Sequence, residues 1–192
     1  LNRDAARYYY SVLQSQEGAA VQAYLDKRRI RRGIAVRFGM GAAPDSWDAL
    51  LTAMTHKGYT KQELISAGLA VNGKNGRLYD KFRNRLMLPV IDVRGDVVGF
   101  GSRVLDKSEP KYMNTPETLT YSKRRILYGM NLAKKSKRSN IILCEGNLDV
   151  VTLHQAGFDN AVASMGTALT QEQLRLLSRY TKELVLCYDN DN

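Results

Sequence analysis

Residues 140–191 read NIILCEGNLDVVTLHQAGFDNAVASMGTALTQEQLRLLSRYTKELVLCYDND. Three short apolar runs stand out in this stretch: NIILC (140–144), NAVAS (160–164) and ELVLC (183–187). Between them lie two segments with helical spacing, one reaching Ala156 and one from Thr170 to Tyr180. Strands buried on both faces read as continuous apolar runs, not as alternation. Strand, helix, strand, helix, strand is the pattern of a parallel sheet with crossover helices. The reading predicts an α/β unit over 138–192 whose chemistry sits where the strands end.

The acidic residues fall at those ends. Glu145 follows the first strand, and Asp189 and Asp191 follow the third. Ligands of open α/β sheets bind outside the carboxyl ends of the strands, so these side chains are expected to converge. Asp189 and Asp191 are two apart and point the same way in an extended chain. Asp149 lies four residues beyond Glu145, on the same face of the following helix. Carboxylates without cysteine or histidine partners suit a hard cation held through oxygen, Mg²⁺ or Mn²⁺. Cys144 and Cys187, each closing an apolar run, read as small core thiols of a reduced, cytoplasmic protein. With His56 and His154 as the only imidazoles, no zinc site is expected within these residues.

Upstream the texture differs. Helical spacing covers 4–15 and 19–28, with shorter helices expected at 31–38, 46–56 and 60–67, the last opened by Thr60 and Glu63 in a capping-box pattern. From Leu69 to Val104 short runs alternate with the turn signals NGKNG, DVRGD and GFG, which predicts a small antiparallel sheet with hairpins. KKSKR (134–138) reads as the linker between the two parts. Tyr8, Tyr9 and Tyr10 read as helix packing. The expected architecture is α+β: a mixed helical and antiparallel-sheet basic subdomain over 1–137, then the first part of a parallel-stranded α/β domain over 138–192.

Charge follows the same division. The chain of 192 residues carries +10, but residues 1–137 hold 25 Lys and Arg against 12 Asp and Glu, a net of +13, whereas 138–192 net −3. A basic body beside an acidic segment suggests a polyanion-binding surface next to a cation site. No run of eighteen apolar residues is present, so no membrane span is expected.

The runs CEGNLDVV (144–151), ASMGT (163–167) and CYDNDN (187–192) resemble the opening motifs of the Toprim fold. That resemblance implies acid–base or metal chemistry for Glu145 and Mg²⁺ binding for Asp189 and Asp191, with Asp149 in support. The basic part selects among Toprim families. RNRLMLPVIDVRGDVVGFGSRVL (83–105), PKYMNTPETLTYSK (110–123), ILYG (126–129) and EGAAVQAYLDKRRI (17–30) are similar to the catalytic core of bacterial-type (DnaG) DNA primases. Ser102, Asn190, Arg29 and Asn147-Leu148 depart from the usual pattern of that family.

The resemblance implies template-directed synthesis of RNA primers on single-stranded DNA from ribonucleoside triphosphates, with a replicative helicase as partner through a domain outside these residues. It also implies a zinc-binding domain and further acidic residues outside them, so the 192 residues alone are expected to bind single-stranded DNA without making primers. Arg28, Arg83, Arg85, Arg103, Lys111 and Lys123 are the expected phosphate-facing cations, with Tyr112 and Asn114 alternating with Lys111. Arginine grips phosphate bidentately, lysine acts as a point charge, and aromatics in a basic groove stack on unpaired bases. Two rivals stay open at this point. One is a Toprim enzyme that cleaves nucleic acid, a nuclease or topoisomerase. The other is a single-strand-binding module without catalysis.

Overall fold

The computed structural model describes residues 1–166 and 168–189. It forms two compact units, one of Leu1–Pro89 with Val97–Tyr121 and one of Val90–Asp96 with Ser122–Asn192.

In the first unit helix α1 (Asn2–Gln14) buries Ala5, Tyr9, Val12 and Leu13 along one stripe. A short 3₁₀ turn (Gln16–Gly18) leads to α2 (Ala19–Lys27) and α3 (Arg32–Arg37). Strand β1 (Gly41–Ala43) follows, and α1 packs against it so closely that a side chain at Gly41 would meet the Tyr9 backbone at 2.6 Å. Helices α4 (Ala49–His56) and α5 (Lys61–Ser66) come next. The expected capping box is formed, with the Thr60 N–H donating to Glu63 Oε2 (2.7 Å) and the Glu63 N–H donating to the Thr60 hydroxyl (3.2 Å).

The antiparallel part is two sheets where one was expected. Strands β2 (Ala70–Asn72) and β3 (Leu78–Asp80) pair as a separate hairpin. Strands β4 (Arg85–Ile91), β5 (Val97–Val104) and β6 (Tyr112–Asn114) join β1 in the order β1-β4-β5-β6. Three residues are too few to show a period, so β1 has no sequence signal. GFG is not a turn: Gly99 and Gly101 lie inside β5. At Gly99 an added Cβ would meet Tyr121 at 3.0 Å and Thr115 at 3.1 Å, so the glycine serves close packing and not chain reversal. The core gathers Tyr9, Leu50, Met54, Leu64, Phe82, Met87 and Phe100. Tyr9 and Phe100 meet edge to face at 5.5 Å, so the middle tyrosine packs as expected.

In the second unit α6 (Met130–Ala133) precedes β7 (Asn140–Cys144), α7 (Asn147–Gln155), β8 (Ala161–Ala163), α8 (Gln171–Leu177) and β9 (Glu183–Cys187). The sheet order is β8-β7-β9 with both pairings parallel, which meets the α/β expectation. Tyr128 adds an antiparallel bridge beside β8 at Ala163, which nothing in the sequence announced. Leu127, Met130, Ile141, Leu143, Val162 and Leu177 form the core. KKSKR is not a linker. Lys134 Nζ donates to the Val93 carbonyl, Ser136 to Asp159 (2.6 Å) and Arg138 to the Gly157 carbonyl (3.0 Å), all within this unit. Lysine and arginine stems pack and cap as well as carry charge, which composition does not reveal.

Candidate metal and nucleic-acid sites

The carboxylate site grows from the register of two neighbouring parallel strands. Cys144 of β7 pairs with Cys187 of β9, so the residues that follow, Glu145 and Asp189, leave the sheet at the same end. The Asp189 N–H points to Glu145 Oε2 at 3.4 Å. Glu145, Ser164, Leu186, Tyr188 and Asp189 line one concavity of about 670 Å³. Burial and then the Glu145 charge raise the Tyr188 phenol. Burial also pushes the Cys144 thiol up to about 12, consistent with a neutral core group.

Asp149 has a capping role at the start of α7. Its Oδ2 accepts the Gly146 N–H at 3.1 Å and closes the first turn of α7. Asp191 lies outside the described residues. Among those described, no group of three His, Cys, Asp or Glu side chains is gathered for a metal. The polar side chains lining the concavity all end in oxygen, with no thiol or imidazole, so the donors present fit a hard cation and not a soft one.

The expected cations of the first unit separate into three environments. Arg103, from β5, lies over the rings of Tyr24 (5.0 Å) and Tyr112 (5.5 Å), and its guanidinium donates to both phenol oxygens. Arg28 also lies over Tyr24 (5.4 Å), and Lys111 over Tyr112 (5.6 Å). Register explains the meeting: Arg103 of β5 is paired with Tyr112 of β6, and Asn114 sits two residues on, opposite Gly101. Four of the expected residues, Arg28, Arg103, Lys111 and Tyr112, therefore form one cation–aromatic cluster with Tyr24. Tyr24 stands on α2 beside the buried Val21 and Leu25, and its hydroxyl is the part that reaches out to Arg103.

Arg83 belongs to a second group, over Trp47 at 4.3 Å and Tyr79 at 5.0 Å. Trp47 is 59% exposed, which is unusual for tryptophan in a folded chain. The one available signal was a tryptophan in the loop sequence Pro44-Asp45-Ser46-Trp47. Arg85 does not face outward. It is 6% exposed and donates to the Pro110 carbonyl at 2.9 Å, holding the loop before β6, because β4 is covered on both faces from Arg85 to Val90 and a side chain on either face is buried. Lys123 lies in the second unit, half-buried on the turn before α6.

Fold and site define a class: a basic α+β unit joined to a parallel-stranded Toprim-like unit with carboxylates at its strand ends. Residues 8–134 match the family model described as DNA primase catalytic core, N-terminal domain, and residues 142–192 match the Toprim-like model. The chain belongs to the DNA primase catalytic-core family. It is 49% identical over 192 residues to the DNA primase of Clostridium acetobutylicum, and 41% identical over 186 residues to that of Escherichia coli K12. The match covers 100% and 96% of this chain but 32% of each relative, so the chain spans about a third of their length. Among solved structures it resembles a DnaG primase catalytic domain bound to single-stranded DNA, with a TM-score of 0.93, 40% identity, and coverage of 99% of this chain and 62% of that one. The E. coli primase catalytic core matches with a TM-score of 0.92 and 40% identity, over 97% of this chain and 60% of that chain.

Proposed function

We propose that these residues form the template- and nucleotide-handling core of a DNA primase that joins ribonucleotides into short RNA primers on single-stranded DNA. The observation that carries the reading is whole-chain similarity, at 40% identity, to a primase domain with single-stranded DNA bound. Functionally the division falls between 1–137, which handles the polyanion, and 138–192, which begins the metal site.

In primer synthesis the 3′-hydroxyl of the primer attacks the α-phosphate of the incoming nucleotide, and pyrophosphate leaves. Arg28, Arg103 and Lys111 draw phosphates to the first unit, while the exposed Tyr112 ring offers a stacking surface to unpaired bases. Arg83, stacked on Trp47, supplies a second cationic point. Asn114 adds a polar group to the first unit's set, and Lys123 is a phosphate-facing cation of the second unit. Glu145 and Asp189, with Asp191, are the residues that would hold Mg²⁺ or Mn²⁺. Such an ion lowers the cost of charge on the attacking and leaving oxygens. Asp149 supports the site by fixing the Gly146 backbone that follows Glu145. No described helix is long and apolar enough to cross a membrane, and a replication enzyme of this kind works in the cytoplasm beside a replicative helicase.

The test uses the full-length protein. Glu145→Gln and Asp189→Asn are expected to abolish primer synthesis while single-stranded DNA affinity changes less than about twofold, since carboxylates hold cations and basic residues hold the polyanion. Primer synthesis at the normal rate in either variant would remove these carboxylates from the site.

A further inference from the structure

The turn Ser122–Ile126 places three cations in a row, Lys123, Arg124 and Arg125. It is closed by its own backbone, with the Arg125 and Ile126 N–H groups donating to the Ser122 carbonyl at 3.0 and 3.1 Å. Three like charges on one turn repel each other, and the ion pair of Arg124 with Glu172 of α8 (3.6 Å) is largely exposed and adds little order.

Order comes from the start of α8. Gln173 is fully buried, and its amide NH₂ donates to the Lys123 carbonyl (3.0 Å) and the Ile126 carbonyl (2.9 Å). Its Oε1 accepts the Thr170 N–H at 3.0 Å, and its own N–H donates to the Thr170 hydroxyl at 3.1 Å. That hydroxyl in turn donates to the Arg124 carbonyl at 2.6 Å. The capping box of α8 is therefore complete, and its spare hydrogens hold three carbonyls of the basic turn. A Glu at the third position would close the same box but has no NH₂ to give. A buried amide with every hydrogen-bonding group used specifies one backbone path far more sharply than an apolar contact would.

We infer that Thr170 and Gln173 are positioning residues, which act through the backbone of 123–126 to aim the Lys123 side chain at a phosphate group. The phosphate belongs either to an incoming ribonucleoside triphosphate or to the DNA backbone. The inference rests on the reading of Lys123 given above.

Four variants of the full-length protein test it. Thr170→Asp keeps an acceptor for the Gln173 N–H, and so keeps the helix cap, but cannot donate to the Arg124 carbonyl. Gln173→Leu keeps volume and loses every amide bond. Thr170→Ser keeps both functions of the hydroxyl and serves as the rescue. Lys123→Ala removes the cation itself. Trypsin cleaves after Lys and Arg, so the turn reports its own order. Cleavage at 123–125 is expected to quicken about fivefold or more in Thr170→Asp and Gln173→Leu, as a lost hydrogen bond of ordinary strength implies, and to stay normal in Thr170→Ser.

The same two variants are expected to raise the ribonucleotide KM about fivefold with kcat nearly constant, or to weaken single-stranded DNA binding by that factor. Whichever quantity Lys123→Ala changes identifies the source of the phosphate. Placed on Lys123→Ala, the Gln173 change is expected to add little, because both act on one interaction. Normal trypsin resistance in Thr170→Asp, or full independent effects in the double variant, overturns the positioning role. A silent Lys123→Ala instead removes the assignment of Lys123, even where the clamp proves real.

Discussion

At Asp80 a carboxylate is 1% exposed, with its oxygens accepting the N–H groups of Leu50 (2.7 Å) and Leu51 (2.9 Å) at the start of α4. Burial raises its pKa to about 6 from 3.8, and the two backbone bonds recover only part of the shift. Between those values the folded chain holds a proton that the unfolded chain releases. The contribution is therefore full below about pH 4 and is lost as pH rises through about 6. The shift corresponds to roughly 3 kcal/mol at most. Asp80→Asn lacks the titration, so the stability of the parent protein relative to this variant is expected to fall across pH 4–7. Denaturant midpoints for both proteins at several pH values in that range measure it, and a pH-independent difference would contradict the raised pKa. A lone Asp at the end of a short strand gave no hint of this in the sequence. What matters is which helix start arrives above it.

Helix ends give a case where sequence and structure explain each other. The chain leaves α2 with the Arg29 N–H on the Asp26 carbonyl (2.8 Å) and the Ile30 N–H on the Leu25 carbonyl (2.9 Å), while Leu25 and Ile30 are both buried. That is a Schellman ending, and it requires the left-handed backbone found at Arg29, φ 55°. Helix α5 ends in the same way on Gly68 at φ 67°. The departure noted at Arg29, where the resembled family often has glycine, thus falls on the one residue of the motif that favours glycine. Arg29→Gly is expected to be more stable than Arg29→Ala by about 1 kcal/mol, since both remove the same side chain and only alanine keeps the Cβ conflict. Thermal or denaturant unfolding of the two variants checks the difference. Equal stabilities would mean that the left-handed conformation is not kept.

For the whole molecule, the uneven charge predicts a salt-sensitive grip on DNA. In the full-length protein, Arg103→Ala or Lys111→Ala is expected to flatten the dependence of single-stranded DNA affinity on salt by about 0.7 log unit per log salt for each phosphate no longer neutralised. Tyr112→Ala is expected to weaken binding by roughly 1–3 kcal/mol per stacked base and to leave the slope nearly unchanged. Fluorescence titrations at four salt concentrations separate the two effects. Unchanged slopes in both cation variants would remove the cluster from the DNA surface. By itself the sequence determined the parallel α/β order of 140–187, the five helices α1–α5, the capping box at Thr60, the charge asymmetry and the family. These follow from periodicity, capping chemistry and local motifs, all of which act over a few neighbouring residues. Only the tertiary structure decided that Arg103 and Arg28 meet on Tyr24 with Tyr112 and Lys111 beside them, that Arg85 turns inward, that Asp149 caps α7, and that Gln173 holds a turn some fifty residues away. Such meetings depend on strand register and on which elements pack together. Those are fixed by the burial of the whole chain, and no local stretch of sequence carries them.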